Sequence, residues 1–133
     1  MRTIKFRGKS IDGKEWLYGD LVSSADKKRF AILVNNKESY DECEVAPETI
    51  GQFIGLYDKD GKEIYEGDIL RVNDSTNVVC EFRHGAFGYT YCNEFHPFAG
   101  NTNYTFNSKN TDKNFEVIGN IHDNTELLKG GKE

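Results

Sequence analysis

One stretch of the chain indicates the fold most clearly: residues 78–91 read Val-Val-Cys-Glu-Phe-Arg-His-Gly-Ala-Phe-Gly-Tyr-Thr-Tyr. Its centre, His84-Gly85, suits a two-residue turn, because Gly takes a positive φ freely and His tolerates one. A turn there places apolar residues opposite each other on one face of two strands. The facing pairs are Phe82 with Phe87, Cys80 with Tyr89 and Val78 with Tyr91. We therefore predict an antiparallel hairpin over residues 78–91.

The β pattern extends along most of the chain. Period-two or β-rich runs occupy residues 3–7, 30–34, 68–72 and 115–118, and they are bounded by turn residues such as Asp12-Gly13. Helical composition is confined to short stretches at 47–49 and 124–128. The sequence thus predicts a mainly β fold. Its short hairpins form strongly bent sheets or an SH3-like partly open barrel, with at most short helical turns.

Length and composition indicate a single domain. The 133 residues are 37% hydrophobic and 29% charged, which is enough to bury one core and too little for two large domains. Within residues 1–133 we expect an N-terminal β unit at 1–46 and a C-terminal β unit at 47–133. The second unit carries an extended aromatic loop at 93–114.

Several features favour a cytoplasmic location. The longest apolar run, Phe30 to Val34, is far shorter than the roughly 20 residues that cross a bilayer. The N-terminus has no apolar segment of the signal-peptide type. The 3 cysteines are odd in number and form no Cys-x-x-Cys pair, which fits a reducing compartment. We predict a cytoplasmic protein that does not associate with a membrane.

The net charge of −5 is unevenly distributed. Residues 1–30 carry 8 Lys or Arg against 4 Asp or Glu, whereas residues 31–70 carry 3 against 10. Three interpretations stay open: the segments neutralise each other within one fold, they pair between subunits, or the basic segment binds nucleic acid. For the last, the candidate residues are Arg2, Lys5, Arg7, Lys9, Lys27, Lys28 and Arg29.

An internal echo relates residues 12–22 to residues 60–70, where six of eleven positions are identical. It indicates either two similar β units or one turn solution used twice. The repeated Gly-Asp places Asp20 and Asp68 at equivalent positions, and acid–base chemistry would need both in one cleft. We instead predict that Asp68 is structural and bonds backbone amides in its own turn.

The loop at 93–114 is rich in Asn and Thr but contains four aromatic residues. They are Phe95, Phe98, Tyr104 and Phe106. Aromatics that project from polar loops are typical of contact surfaces, and a structureless loop of this length is uncommon unless it has a role. We predict that these residues contribute to a contact in a homo-oligomer. The alternative is that they fold back onto the sheet as core.

The sequence gives little support for a metal site or a catalytic site. Cys80-x3-His84 and Cys92-x3-His96 supply the residue types of a zinc site. However, four residues of extended strand span roughly 13 Å, whereas ligands of one zinc lie about 3–4 Å apart. The common hydrolase, nucleotide-binding and metalloprotease motifs are absent from the sequence. We predict no catalytic residues, no metal and no cofactor, with a site assembled from distant strands as the open alternative.

Residues 50–72 resemble the central motif of the YopX family of phage and prophage proteins. They read Ile-Gly-Gln-Phe-Ile-Gly-Leu-Tyr-Asp-Lys-Asp-Gly-Lys-Glu-Ile-Tyr-Glu-Gly-Asp-Ile-Leu-Arg-Val. Flanking blocks agree in the same order, among them Lys5-Phe6-Arg7, Tyr18-Gly19-Asp20-Leu21 and Val117-Ile118-Gly119-Asn120-Ile121. The resemblance spans nearly the whole chain and implies a mostly β fold and a phage origin. It brings no activity and no catalytic residues.

These observations favour a non-catalytic phage or prophage accessory protein that acts by protein binding and self-association. A host or phage protein is a further expected partner. The alternative is a small β-barrel protein that binds nucleic acid through the basic residues given above.

Overall fold

The computed structural model describes residues 2–98 and 114–130, and strands dominate both ranges. The first strands are β1 (Phe6–Lys9), β2 (Trp16–Ser23), β3 (Phe30–Asn35), β4 (Tyr40–Val45), β5 (Gly51–Tyr57) and β6 (Glu63–Tyr65). They are followed by β7 (Asp68–Val72), β8 (Thr76–Val79), β9 (Glu81–Arg83), β10 (Ala86–Tyr91), β11 (Glu94–Pro97) and β12 (Phe115–Asn120). A 3-10 turn at Pro47–Thr49 and a short helix, α1 (Glu126–Gly130), complete the described elements. The prediction of a mainly β fold with short helical turns is confirmed.

The chain forms two compact units, Met1–Phe53 and Ile54–Glu133. The first unit extends to Phe53 because β5 pairs with β1, where Arg7 faces Gly51. No helix within the described ranges combines the length and the apolar character of a membrane span.

The first unit is a bent antiparallel sheet with the order β4-β3-β2-β1-β5. Ile32 and Val45 are fully buried in it. The sheet bends until the end of β4 returns to β1: Ser10 forms a bridge with Val45, and the Ala46 N–H donates to the Lys9 carbonyl at 2.9 Å. The sequence predicted strongly bent sheets or a partly open barrel, and these contacts bring the end of β4 back to β1 without closing a barrel.

The N-terminal strand starts later than its alternation predicts. The pattern begins at Thr3, but β1 begins at Phe6. The reason is that β1 pairs with β2 only from Phe6, which faces Gly19, through Lys9, which faces Trp16. Alternation marks residues that suit a strand, whereas a partner strand decides how many of them are in one.

The second unit contains two three-stranded sheets, β12-β7-β8 and β11-β10-β9, and the remainder of β5, which β6 adjoins. Its core is one apolar cluster that draws on several of these strands. The buried members are Ile64, Leu70, Val72, Val78, Cys80, Tyr89, Phe98, Phe115 and Val117. Helix α1 is tied to β8 by a hydrogen bond from the Asn77 side chain to the Leu127 carbonyl at 3.1 Å.

The predicted hairpin turns at His84-Gly85, as the sequence indicated, and Phe82 faces Phe87. Its outer part is wrong, because Val78 pairs with Leu70 of β7 and not with Tyr91. The cause lies at Cys80, whose N–H donates to the Asp68 carbonyl and whose carbonyl accepts from Gly67. The chain therefore leaves β10 before Glu81 and joins a different sheet.

Candidate functional site

The sheet β11-β10-β9 is built from two consecutive tight hairpins. The first turns at His84 and Gly85, with φ of 55° and 79°, and the second at Cys92 and Asn93, with φ of 54° and 64°. Positive φ at both central residues is the property of the type I′ turn, which matches the right-handed twist of the flanking strands. The two turns bring three short strands together with β10 in the middle.

One face of this sheet runs from the core to solvent. At its centre Tyr89 is buried, stacks on His96 at 5.2 Å between ring centroids and meets Phe115 at 6.1 Å. Toward the first turn, Phe82 meets Phe87 edge to face at 5.0 Å. Phe87 is half-buried against the core, whereas Phe82 is 55% exposed. At its solvent end, this face therefore presents the Phe82 ring. No residue in the described part of the chain covers the exposed area of that ring.

The opposite face of the same sheet is polar near the first turn. The Arg83 guanidinium lies 2.7 Å from the Glu81 carboxylate. Phe95 adds one ring on this side, at 5.8 Å from the His84 ring. A Cβ on Gly88 would lie 2.7 Å from the tip of the Phe95 ring, so the absence of a side chain at Gly88 lets that ring cover the strand.

The four loop aromatics predicted as an interface have different positions. Phe95 is half-buried as described above. Phe98 is 3% exposed and packs against Phe115 at 5.2 Å, which is the core position that the sequence left as the alternative. Tyr104 and Phe106 lie outside the described residues.

Sequence reasoning missed the two exposed aromatics of this sheet, Phe82 and Tyr91, because it assigned both to an apolar hairpin face. Tyr91 is 49% exposed at the second turn, as Phe82 is at the first. A signal was available, since each residue lies within two positions of a tight turn. Side chains near a hairpin end extend past the core that covers the middle of the strand.

The predicted basic residues of the first unit lie on three segments: β1, the turn after β2 and the N-terminus. Arg7 and Lys9 lie on one face of β1, and both cations lie over the Trp16 ring, at 4.7 and 5.7 Å from its centroid. Lys27, Lys28 and Arg29 are exposed in the turn beyond the far end of β2. Arg2 is exposed and Lys5 half-buried near the N-terminus. Because the sheet bends, Val45 pairs with Phe30 on one side and bridges Ser10 on the other, so Arg29 and Lys9 each precede a residue that flanks Val45.

The residues considered as catalytic or metal-binding groups also lie in different parts of the fold. Asp20 is exposed on β2, whereas Asp68 is buried and accepts a hydrogen bond from the Tyr65 N–H at 2.7 Å. The prediction that Asp68 bonds a backbone amide in its own turn is confirmed. Cys80 is buried and His84 is in an exposed turn. Among residues 2–98 and 114–130, no group of three or more His, Cys, Asp or Glu is placed to hold a metal ion.

Comparison with known proteins gives one family. The family model described as YopX protein matches residues 5–129. The chain belongs to the YopX family. A similar solved structure is protein EF1440 from Enterococcus faecalis, with a TM-score of 0.58 and 25% identity over 96% of this chain and 99% of that one. Comparison with curated proteins returns no match.

The motif that carries the YopX resemblance, residues 50–72, holds structural carboxylates. Asp58 is 1% exposed and accepts three backbone N–H groups, those of Asp60 and Lys62 on one oxygen and of Val117 on the other, each at 2.9 Å. Both oxygens of this buried carboxylate are bonded to main-chain N–H groups, so it has little surface to offer a substrate. Asp58 of this motif therefore has a structural role.

Proposed function

We propose that this YopX-family protein is a non-catalytic phage or prophage accessory protein of the bacterial cytoplasm that acts by binding protein. The observation that carries the proposal is the exposed Phe82 ring beside the half-buried Phe87. Large aromatic rings on a rigid strand provide apolar contact area at low cost in side-chain entropy, and such rings dominate binding energy at protein interfaces.

The surroundings of Phe82 support a protein partner. The ring is held by its edge-to-face contact with Phe87 at 5.0 Å and stands on a strand beside a tight turn, so it is oriented before a partner arrives. Pre-organisation of this kind lowers the entropy lost on binding. A charged pair, Glu81 and Arg83, lies on the other face of the same strand and offers polar contacts around the apolar centre.

A photo-cross-linking experiment tests the proposal. A benzophenone amino acid replaces Phe82 in the full chain, and a matched control carries it at Tyr40 of β4, which is also exposed, at 62%. After illumination in host lysate, adducts are identified by mass spectrometry. We expect protein adducts at position 82 that exceed those at position 40 and that resist nuclease. Equal yields at the two positions would overturn the proposal.

Nucleic acid is the second candidate ligand, favoured by Lys9 and Tyr18 on one face of the sheet; Arg7 lies on the same face but is only 6% exposed. Tyr18 is opposite Arg7 across the β1–β2 pair and is 44% exposed. The test is fluorescence anisotropy with a labelled single-stranded oligonucleotide. This candidate requires binding that weakens steeply between about 50 and 200 mM salt and is lost in Lys9→Ala and Tyr18→Ala. Binding that ignores both salt and these substitutions would exclude it.

A further inference from the structure

We infer that the protein that binds at the exposed Phe82 ring is a second copy of this chain. The two copies pair through their β9 strands, which run antiparallel about a twofold axis at Phe82. This inference rests on the proposed function and adds the identity of the partner. It follows from three properties of β9: the direction of its backbone groups, the order of its charges and the position of its exposed ring.

Within residues 2–98 and 114–130, no strand pairs with β9 on the side away from β10, although that edge is occupied two residues before Phe82, where Cys80 bonds Gly67 and Asp68. In a hairpin with a two-residue turn, the residues that flank the turn form the hydrogen-bonded pair, here Arg83 and Ala86. Backbone groups alternate in direction along a strand, so the N–H and C=O of Phe82 point away from β10. Strand β9 is the outer strand of its sheet, and these groups therefore face the edge.

The charges of β9 are self-complementary. In an antiparallel pair centred on residue 82, each Glu81 is opposite Arg83 of the second copy. The two residues have opposite charge and already associate within one chain, where Arg83 Nη2 lies 2.7 Å from Glu81 Oε1. Pairing the strands places two such opposite charges across the interface, where directly opposed unlike charges are stabilising. A twofold axis uses the same patch on both copies, which is the usual form of a dimer interface.

The same axis brings the two exposed rings together on the other face of the strands. Phe82 is opposite Phe82 of the second copy, and Phe87 of each chain lies beside the pair. Aromatic residues opposite each other on paired strands are favourable, and their contact removes the exposed area of both rings from water. The strand has only three residues, so the interface is small and we expect a reversible dimer.

Charge reversal tests the pairing with purified full-length protein. Glu81→Arg and Arg83→Glu each oppose like charges twice in the dimer, so each should raise the dimer Kd by about tenfold in sedimentation equilibrium. The double variant, with both substitutions, restores opposite signs and should return the Kd to near the original value. A wild-type chain that stays at 15.2 kDa at every concentration, or a double variant as weak as the singles, would overturn the inference.

Cysteine cross-linking tests the register independently of charge. The background carries Cys43→Ser and Cys92→Ser, because these thiols are not fully buried. Facing residues of a hydrogen-bonded antiparallel pair have Cα atoms about 5.5 Å apart, within disulfide range. Phe82→Cys should therefore give a disulfide-linked dimer on oxidation with diamide. Arg83→Cys should not, because its Cα atoms would be about 8 Å apart or more. Equal cross-linking at the two positions would contradict the register.

The two proposals fail in different ways. Photo-adducts at position 82 that consist only of another protein, together with a monomeric purified chain, would leave the proposed function standing and exclude the second copy. An absence of adducts above the Tyr40 control, together with a monomeric chain, would exclude both. Adducts of the chain with itself, lost in Glu81→Arg and regained in the double variant, would support both.

Discussion

The two echoing segments, residues 12–22 and 60–70, form the same turn and then diverge. In the first, the Gly13 N–H donates to the Ser10 carbonyl at 2.8 Å, and in the second, the Gly61 N–H donates to the Asp58 carbonyl at 3.0 Å. Both glycines have positive φ, of 74° and 82°. After the turn, the first segment continues as the unbroken strand β2, whereas the second is divided by a turn between β6 and β7. Identical residues therefore specify a turn but not the structure that follows it.

The residue two positions before the shared Asp-Gly explains part of the divergence. At Ser10, the hydroxyl donates to Asp12 at 2.6 Å and accepts from the Glu15 N–H at 3.2 Å, all in exposed surroundings. At the equivalent Asp58, one buried carboxylate holds the turn and also bonds β12 through the Val117 N–H. The first turn is a local structure, and the second is part of a core.

The largest difference between the segments should appear on removing those two side chains. We expect Asp58→Ala to lower the free energy of unfolding by about 3 kcal/mol or more, because three backbone N–H groups lose their acceptor. Ser10→Ala should cost no more than about 1 kcal/mol, since water replaces its bonds. Urea unfolding followed by circular dichroism measures both. Similar costs for the two variants would mean that the turns are equivalent.

The repeated Gly-Asp offers the next comparison. Asp68 is buried and bonds the Tyr65 N–H, so Asp68→Ala should cost about 2 kcal/mol. Asp20→Ala, at the echoing exposed position, should change stability by less than about 0.5 kcal/mol. The same unfolding measurement applies. A large cost at Asp20 would show that its carboxylate has a structural partner equivalent to that of Asp68.

A third copy of the turn, at Ser24–Arg29, sharpens the role of glycine. Its hydrogen bonds repeat those of Ser10–Glu15, but Lys27 with φ of 61° stands where Gly13 does. A side chain at that φ is strained, so Lys27→Gly should stabilise the protein by about 0.5–1 kcal/mol. Gly13→Ala and Gly61→Ala should each cost about 1 kcal/mol, since no atom lies within 4 Å to add a clash. Unequal costs at the two glycines would show that the turns differ in backbone strain.

The smallest expected effect is a pH dependence at two turns of the first unit. Hydrogen bonds from the Ser10 hydroxyl and the Lys14 amide lower the pKa of Asp12 below its ordinary 3.8, and Ser24 and Lys28 do the same for the pKa of Asp26. A lowered folded-state pKa stabilises the fold above the ordinary value, and this contribution is lost as pH falls through the lowered value. Asp12→Ala and Asp26→Ala should therefore shift Tm by no more than about 2 °C at pH 7. The shift should shrink as the pH falls below 3.8. A Tm difference that persists at pH 2 would assign these carboxylates another role.

Local features could be predicted where a few adjacent residues carry the physics. The His84-Gly85 turn and the Phe82–Phe87 pair follow from positive-φ tolerance and period-two alternation, which act within ten residues. The structural role of Asp68 follows in the same way, because its carboxylate accepts a hydrogen bond from the backbone N–H of Tyr65, three residues away. The sequence predicted only part of the candidate site, because it indicated Phe95 but assigned Phe82 to an apolar face.

The sequence by itself therefore determined the β class, the tight turns and the alternation of strand faces, because each depends on backbone preference or on neighbouring side chains. Only the tertiary structure decided that Val78 pairs with β7, that Phe98 is core and that Phe82 is exposed. These outcomes depend on which distant strand competes for a backbone edge, as Asp68 does for Cys80. They also depend on where the core ends. Strand competition and the extent of the core are both set by segments far apart in the chain.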